Sequence, residues 1–345
     1  MKIVGCDLHT RYQQIAMLDA ETGELIERRL EHESGEARAF YANLKGPVRV
    51  GIEATGHTRW FERMLAELGH ELWIGDAAEI RASMVRKQKT DARDAAHLLE
   101  LLLSGRFPRL WRPTMAERDL RQLVWHRQKL VWMRNAVGNQ LHALAMGEGV
   151  CRKKKLFSKK GRVELEGLPL DRWASRRRQE LLRMLDQLDG SLQEFDQAVS
   201  EQAEQNPAAV LLMTHPGVGP VTSLAFVLTL GPVERFARSK QVVSYLGLNP
   251  REHSSGGRQR LGAISKQGNP MMRSLLVEAG HTAARLDAEL RQDYQRLKLR
   301  RGGGVAKVAI ARKLAVRMYW MLRRQACYAQ LVRMQGSPRA TLVSS

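Results

Sequence analysis

Four acidic residues stand where they could hold hard cations: Asp7 near the end of the apolar run MKIVGCDLH, Glu53 at the end of VRVGIEATG, and Asp91 and Asp94 in KTDARDAAHLLELL. The first two close predicted strands; the other two are i,i+3 neighbours on a predicted helix, so both can face one ion. Converged carboxylates repel one another, and a divalent metal resolves the conflict. Oxygen ligands suit Mg²⁺ or Mn²⁺, whereas zinc would want His or Cys. Such a centre serves phosphodiester attack, in which two ions about 4 Å apart stabilise the entering and leaving oxygens. Singly, each acid has a plainer explanation: Asp7 ends a strand, Glu53 is a solvated end residue, and Asp91 and Asp94 pair with Lys89 and Arg93. Their combination, with the small-residue turn Ala54-Thr55-Gly56 after Glu53, favours the metal reading.

The charge balance agrees. Against 36 Asp and Glu the chain carries 56 Lys and Arg, a net +20 over 345 residues, which favours nucleic acid or an anionic membrane as partner. Its 43% hydrophobic content can bury two ordinary domains. No apolar stretch reaches the roughly 18 residues of a membrane span, and Asp7 interrupts the first apolar run before a signal peptide could form. Cys6, Cys151 and Cys327 are too scattered for a disulfide framework or zinc knuckle. A reduced, cytoplasmic protein is expected.

The elements that must position the acids follow from periodicity. MKIVGCDLH, QQIAMLD and ELIERRLEH read as three strands in a meander; Ser34 is expected to cap a helix through Leu44. PVRVGIEATG is a buried strand, TRWFERMLAELG a helix closed by Gly69, and HELWIGD a strand before the helix of Asp91 and Asp94. This is an α/β layer. From Thr114 the pattern turns helical. Arg152, Lys153, Lys154, Lys155, Lys159 and Lys160 form an acid-free tract expected to be a phosphate-seeking loop. Leu181, Leu185, Leu188, Leu192, Phe195 and Val199 make a coiled-coil seam that can close on the Thr114 helix or on a second protomer. The narrow stripe and polar flanks favour the dimer contact.

After Pro207, Gly217 and Gly219 make a turn between two apolar helices. It reads equally as a helix-hairpin-helix offering backbone N–H groups to phosphate or as a packing turn. Further on, a polar loop from His253 to Gly257 precedes Arg258 and Arg260, and Asn269 is a predicted N-cap with Pro270 behind it. The loop offers two hydroxyls, Ser254 and Ser255. Behind the Gly302–Gly304 hinge, a helix bearing Lys307, Arg312, Lys313 and Arg317 is expected to close the core with its basic face on nucleic acid. The seven tryptophans are dispersed and read mostly as packing residues, with base stacking unplaced.

GCDLH, GIEATG and KTDARDA, in this order and spacing, resemble the DEDD-type transposases of the insertion sequence 110 group; the likeness continues through YLGLNPREHSSGGRQRLGAISKQGNPMMRSLLVEAG. The resemblance implies an RNase-H-like (RuvC-like) domain over 1–110, a helical coiled-coil dimerisation segment over 111–206, and a mainly α transposase domain over 207–330 with a flexible tail over 331–345. It implies that Asp7, Glu53, Asp91 and Asp94 bind the metal, and that the serine before a glycine, Ser255, attacks DNA, with Ser254 beside it as the other candidate. Lys266 and Arg273, around KQGN, would contact backbone phosphates. Partners implied are donor and target DNA, a structured noncoding guide RNA, and further copies in a homodimer or homotetramer. Two other functions stay open on the residues alone: a junction-resolving or RNase-H-like nuclease using water, and a noncatalytic nucleic-acid chaperone.

Overall fold

Val4, Cys6 and Leu8 alternate with Ile3, Gly5 and Asp7, so a strand through them shows one set to each face of a sheet. The computed structural model describes residues 1–84, 90–152, 155–252 and 260–335. Its chain falls into two compact units, Met1–Arg112 and Pro113–Ser345. In the first, β1 (Lys2–Leu8), β2 (Tyr12–Asp19) and β3 (Leu25–Glu31) form an antiparallel meander. They are followed by α1 (Glu36–Ala42), β4 (Val48–Glu53), α2 (Arg59–Glu67), β5 (Glu71–Gly75), α3 (Ala77–Ser83) and α4 (Asp91–Leu103). The sheet order is β3-β2-β1-β4-β5, with β4 and β5 parallel to β1. The meander and the α/β alternation expected from the pattern are both present. One detail differs: Gly35, at φ +75°, takes the cap position of α1, and Ser34 Oγ accepts from the Glu36 N–H at 3.4 Å.

Both sheet faces are covered. On one, Val4, Cys6, Ile15, Val50 and Ile52 pack with Tyr41 of α1 and Phe61 and Leu65 of α2; each such aliphatic side chain contributes roughly 1.5–3 kcal/mol by leaving water. On the other lies α4, whose Ala95 and Leu99 pack with Ile3, Ala16 and Leu18. The approach is close because Gly5 has no side chain: a Cβ there would stand 2.2 Å from the Ala95 carbonyl oxygen and 2.4 Å from the Leu99 nitrogen. Gly51, registered beside Gly5, makes room for Leu102 and Phe107 in the same way.

The second unit opens with two 33-residue helices, α5 (Met115–Gly147) and α7 (Arg172–Glu204), linked through α6 (Lys159–Glu166). They run antiparallel, with Arg127 on Asp196 at 2.6 Å and an Arg134–Asp189 pair further along. Here the seam packs on the first of the two partners the sequence allowed, the Thr114 helix. Leu181 and Leu185 are buried against Val137 and Leu141 of α5, and Val199 joins Val124, so α5 of the same chain covers the seam. The short α6 linker folds the second helix back on the first. The basic tract is also not wholly loop, because Lys159 and Lys160 open α6.

The remaining elements are α8 (Pro207–Met213), α9 (Pro220–Leu230), a 3-10 turn (Val233–Arg235), α10 (Ser239–Tyr245), the hairpin β6 (Pro250–Glu252) and β7 (Leu261–Ile264), α11 (Pro270–Leu286), α12 (Ala288–Arg301), α13 (Gly303–Arg324) and α14 (Tyr328–Gln335). α9 is apolar all round and central: Leu224, Phe226 and Leu230 are fully buried, with Leu276, Leu314 and Met318 around them. Among the described residues no helix is long and apolar enough to cross a membrane.

Candidate metal centre

Sheet parity and two glycines build the site. Asp7 lies two residues beyond Gly5, and Glu53 two beyond Gly51, so both acids share the face on which α4 packs. α4 runs antiparallel to β1, and its first turn, with Asp91 and Asp94, meets the C-terminal end of the strand. Thr90 caps that turn, its side chain accepting from the Arg93 N–H. Carboxylates in a first helical turn are favoured by the helix dipole, which lessens the cost of gathering negative charge there.

Donor atoms of Asp7, His9 and Asp91 lie within 4.8 Å of one another. His9 Nε2 is 3.1 Å from Asp7 Oδ2 and 3.5 Å from Asp91 Oδ2, and the Tyr12 hydroxyl donates to Asp91 Oδ2 at 2.9 Å. Burial raises the Asp7 carboxyl above its ordinary value; the His9 ring opposes this, and Asp94 and Asp91 add to it. Asp94 therefore belongs to the same electrostatic cluster. The Tyr12 hydroxyl is also raised, first by its hydrogen bond to Asp91. Glu53, on the neighbouring strand, stands 3.8 Å from Arg81 of α3. Two carboxylates and an imidazole around one small volume fit a divalent ion, and the nitrogen suits Mn²⁺ better than Mg²⁺.

His9, Tyr12 and Arg81 were not among the residues singled out from the sequence. A signal for His9 was present: Asp7-x-His9 at a strand end puts both side chains on one face. Tyr12 is brought back by the tight β1–β2 turn, in which the His9 N–H donates to the Tyr12 carbonyl. Arg81 arrives through a helix that no spacing rule ties to β4.

In the second unit, the proposed nucleophile Ser255, with His253, Ser254, Gly257, Arg258, Lys153 and Lys154, lies outside the described residues, as does Lys89 of the first unit. Lys155, Lys159 and Lys160 are exposed; Arg152 is held by Glu164 at 2.8 Å. Gly217, at φ +88°, is pressed on α11, where a Cβ would lie 2.5 Å from the Ala283 nitrogen, whereas Gly219 caps α9 with open space beside it. Arg260 and Lys266 are exposed, and Lys266 has φ +59°. Arg273 donates to the carbonyls of Gly268 at 2.5 Å and Leu246 at 3.4 Å, which fixes the loop before α11. Arg317 departs from the expected basic face: it is buried, 2.6 Å from Glu289 and 3.4 Å from Asp287.

An acidic cluster on a mixed α/β sheet, joined in one chain to a mainly helical unit, is compatible with a DEDD-type transposase. Two transposase family models match the chain, one for DEDD transposases over residues 4–147 and one described as Transposase IS116/IS110/IS902 family over residues 209–295. A Pseudomonas aeruginosa protein described as "Probable family 20 transposase" is 27% identical over 340 residues, covering 94% of this chain and 98% of its own. The "Transposase for insertion sequence element IS1111A" of Coxiella burnetii is 28% identical over 341 residues, covering 95% and 91%. The chain belongs to this insertion-sequence transposase family and is a DNA transposase.

Proposed function

We propose that this chain is a metal-dependent, site-specific recombinase that excises and inserts its own mobile element, with Asp7, Glu53, Asp91 and Asp94 as its metal-binding acids. The observation that carries the reading is the convergence of Asp7, His9 and Asp91 at one point, with Asp94 on the same helical turn. The five-stranded mixed sheet with helices on both faces is compatible with an RNase-H-like domain. A bound Mg²⁺ or Mn²⁺ would neutralise charge on the scissile phosphate. His9 and Tyr12 hold the Asp7 and Asp91 carboxylates at fixed angles, so the acids would meet a metal ion already oriented.

The nucleophile in this reading is the Ser255 hydroxyl. Its attack forms a phosphoserine link, releases the DNA 3′-oxygen or 5′-oxygen on the cut side, and conserves the energy of the diester for resealing to another strand. Donor and target would be chosen through a structured noncoding RNA that pairs with both, the protein supplying cationic surface for backbone and shape. The family resemblance supports that partner and an oligomeric, cytoplasmic assembly on chromosomal DNA.

The test is trapping of a protein–DNA adduct on a denaturing gel with full-length protein, its flanking element RNA, Mg²⁺ and labelled donor DNA. The reading expects an adduct in wild type and in Ser254→Ala, and none in Ser255→Ala or Asp94→Ala. Cut DNA without an adduct would replace it by a water-using nuclease; nucleic-acid remodelling unchanged in Asp7→Ala would replace both by a chaperone.

A further inference from the structure

In the second unit a pocket of about 410 Å³ opens between α5, the end of α10 and the loop before α11. That size lies in the range of small-molecule sites, about 300–1,000 Å³. Two aromatic rings line it. Trp125 of α5 is half-buried against the core. Tyr245 of α10 is 41% exposed, yet fixed: its ring meets Phe236 edge-on at 5.3 Å and its hydroxyl donates to the Thr229 carbonyl at 3.4 Å.

The polar side is equally built. Arg121, which also lines the pocket, donates to the Leu228 carbonyl at 2.9 Å and lies 5.8 Å from the Trp125 ring centre. The Ser244 hydroxyl and the Gln267 amide complete the lining, with Asn269 capping α11 beside them. The loop that carries Gln267 is locked. A Cβ at Gly268 would stand 2.3 Å from the Tyr245 carbonyl oxygen, and Arg273 ties the carbonyls of Gly268 and Leu246 together. Lys266, one residue before Gln267, is exposed.

Flat ring faces, a fixed cation, an amide and a hydroxyl together match a planar heteroaromatic with a hydrogen-bonding edge. They match neither a lipid tail, which needs no polar edge, nor a bare phosphate, which needs no rings. We propose that this pocket captures one unpaired nucleobase, stacked on Trp125 and Tyr245, its edge met by Ser244 and Gln267 and its phosphate by Lys266. The inference rests on the reading of this chain as a nucleic-acid enzyme, but it uses neither the acid centre nor the serine. A displaced DNA strand and a guide RNA share this chemistry.

The experiment is photocrosslinking of full-length wild-type protein to single-stranded oligonucleotides carrying one 5-iodouracil, in a deoxy and a ribo series, with the adduct mapped by tandem mass spectrometry. Attachment at Trp125 or Tyr245 is expected, and the series that gives it identifies the strand captured. Attachment only elsewhere, or none in either series, overturns the proposal. In parallel, Tyr245→Leu and the loop variant Gln267→Ala should weaken binding of an intact oligonucleotide, Tyr245→Leu by about tenfold, while leaving an oligonucleotide abasic at the captured position unaffected. Wild-type protein that binds both forms equally also overturns it. Because these readouts are binding alone, a crosslink without strand cleavage would count against the recombinase chemistry and leave the pocket standing; cleavage without the crosslink would do the reverse.

Discussion

His215 shows how one side chain carries a measurable consequence at the residue scale. It is 1% exposed, its Nδ1 donates to the Pro216 carbonyl at 2.9 Å, and its ring lies 4.3 Å from that of Tyr328. Burial first, then the nearby Arg317 charge, lowers its pKa from 6.5 to about 4 against the opposing hydrogen bond and Asp287. The unfolded chain therefore binds this proton more readily than the folded one. Stability from this group is complete above pH 6.5 and is lost as pH falls toward 4, amounting to roughly 2–3 kcal/mol at pH 4.5. Urea unfolding of wild type and His215→Gln at pH 7 and pH 4.5 should show the acid loss smaller in the variant by about that amount; equal losses would refute the assignment. Neither the burial nor the Tyr328 contact was legible in the sequence. His215 beside Pro216 and Gly217 looks like a surface turn until α14 covers it.

At the scale of elements, the acid centre depends on how closely α4 can lie on β1. Gly5→Ala would drive a methyl into the Ala95 carbonyl. We expect a loss of about 1–3 kcal/mol or more, read by chemical unfolding, together with weaker divalent-metal binding as Asp91 and Asp94 move from Asp7. A variant of wild-type stability and metal affinity would contradict the account. The strands and the acids' places at their ends were legible because period-two apolar runs and glycine turns are local signals. The side of closure of the α7 seam was not. Leu181, Leu185, Leu192 and Val199 specify a stripe to be covered, and a stripe does not name its partner. The roles of the cations in this unit were hidden for the same reason. In the fold Arg273 donates to the Gly268 carbonyl, and Arg317 pairs with the Asp287 and Glu289 carboxylates.

For the whole molecule, the net charge of +20 makes nucleic-acid affinity salt-dependent, and the structure sorts which cations contribute. Lys155, Lys159 and Lys160 are exposed, whereas Arg162 pairs bidentately with Asp186 at 2.5 Å. In filter binding across a salt series, each of Lys155→Ala, Lys159→Ala and Lys160→Ala should reduce the log–log slope by about 1 if its lysine meets phosphate. Arg162→Ala should leave the slope unchanged. The acids lie in the first unit, and the exposed Lys155, Lys159 and Lys160 lie in the second.

If the carboxylates at the meeting of β1 and α4 form a divalent-metal centre, calorimetric titration of Mn²⁺ into full-length protein will give saturable binding in wild type that is lost in Asp7→Asn and Asp91→Asn. Binding of the same stoichiometry and affinity in both variants would contradict it.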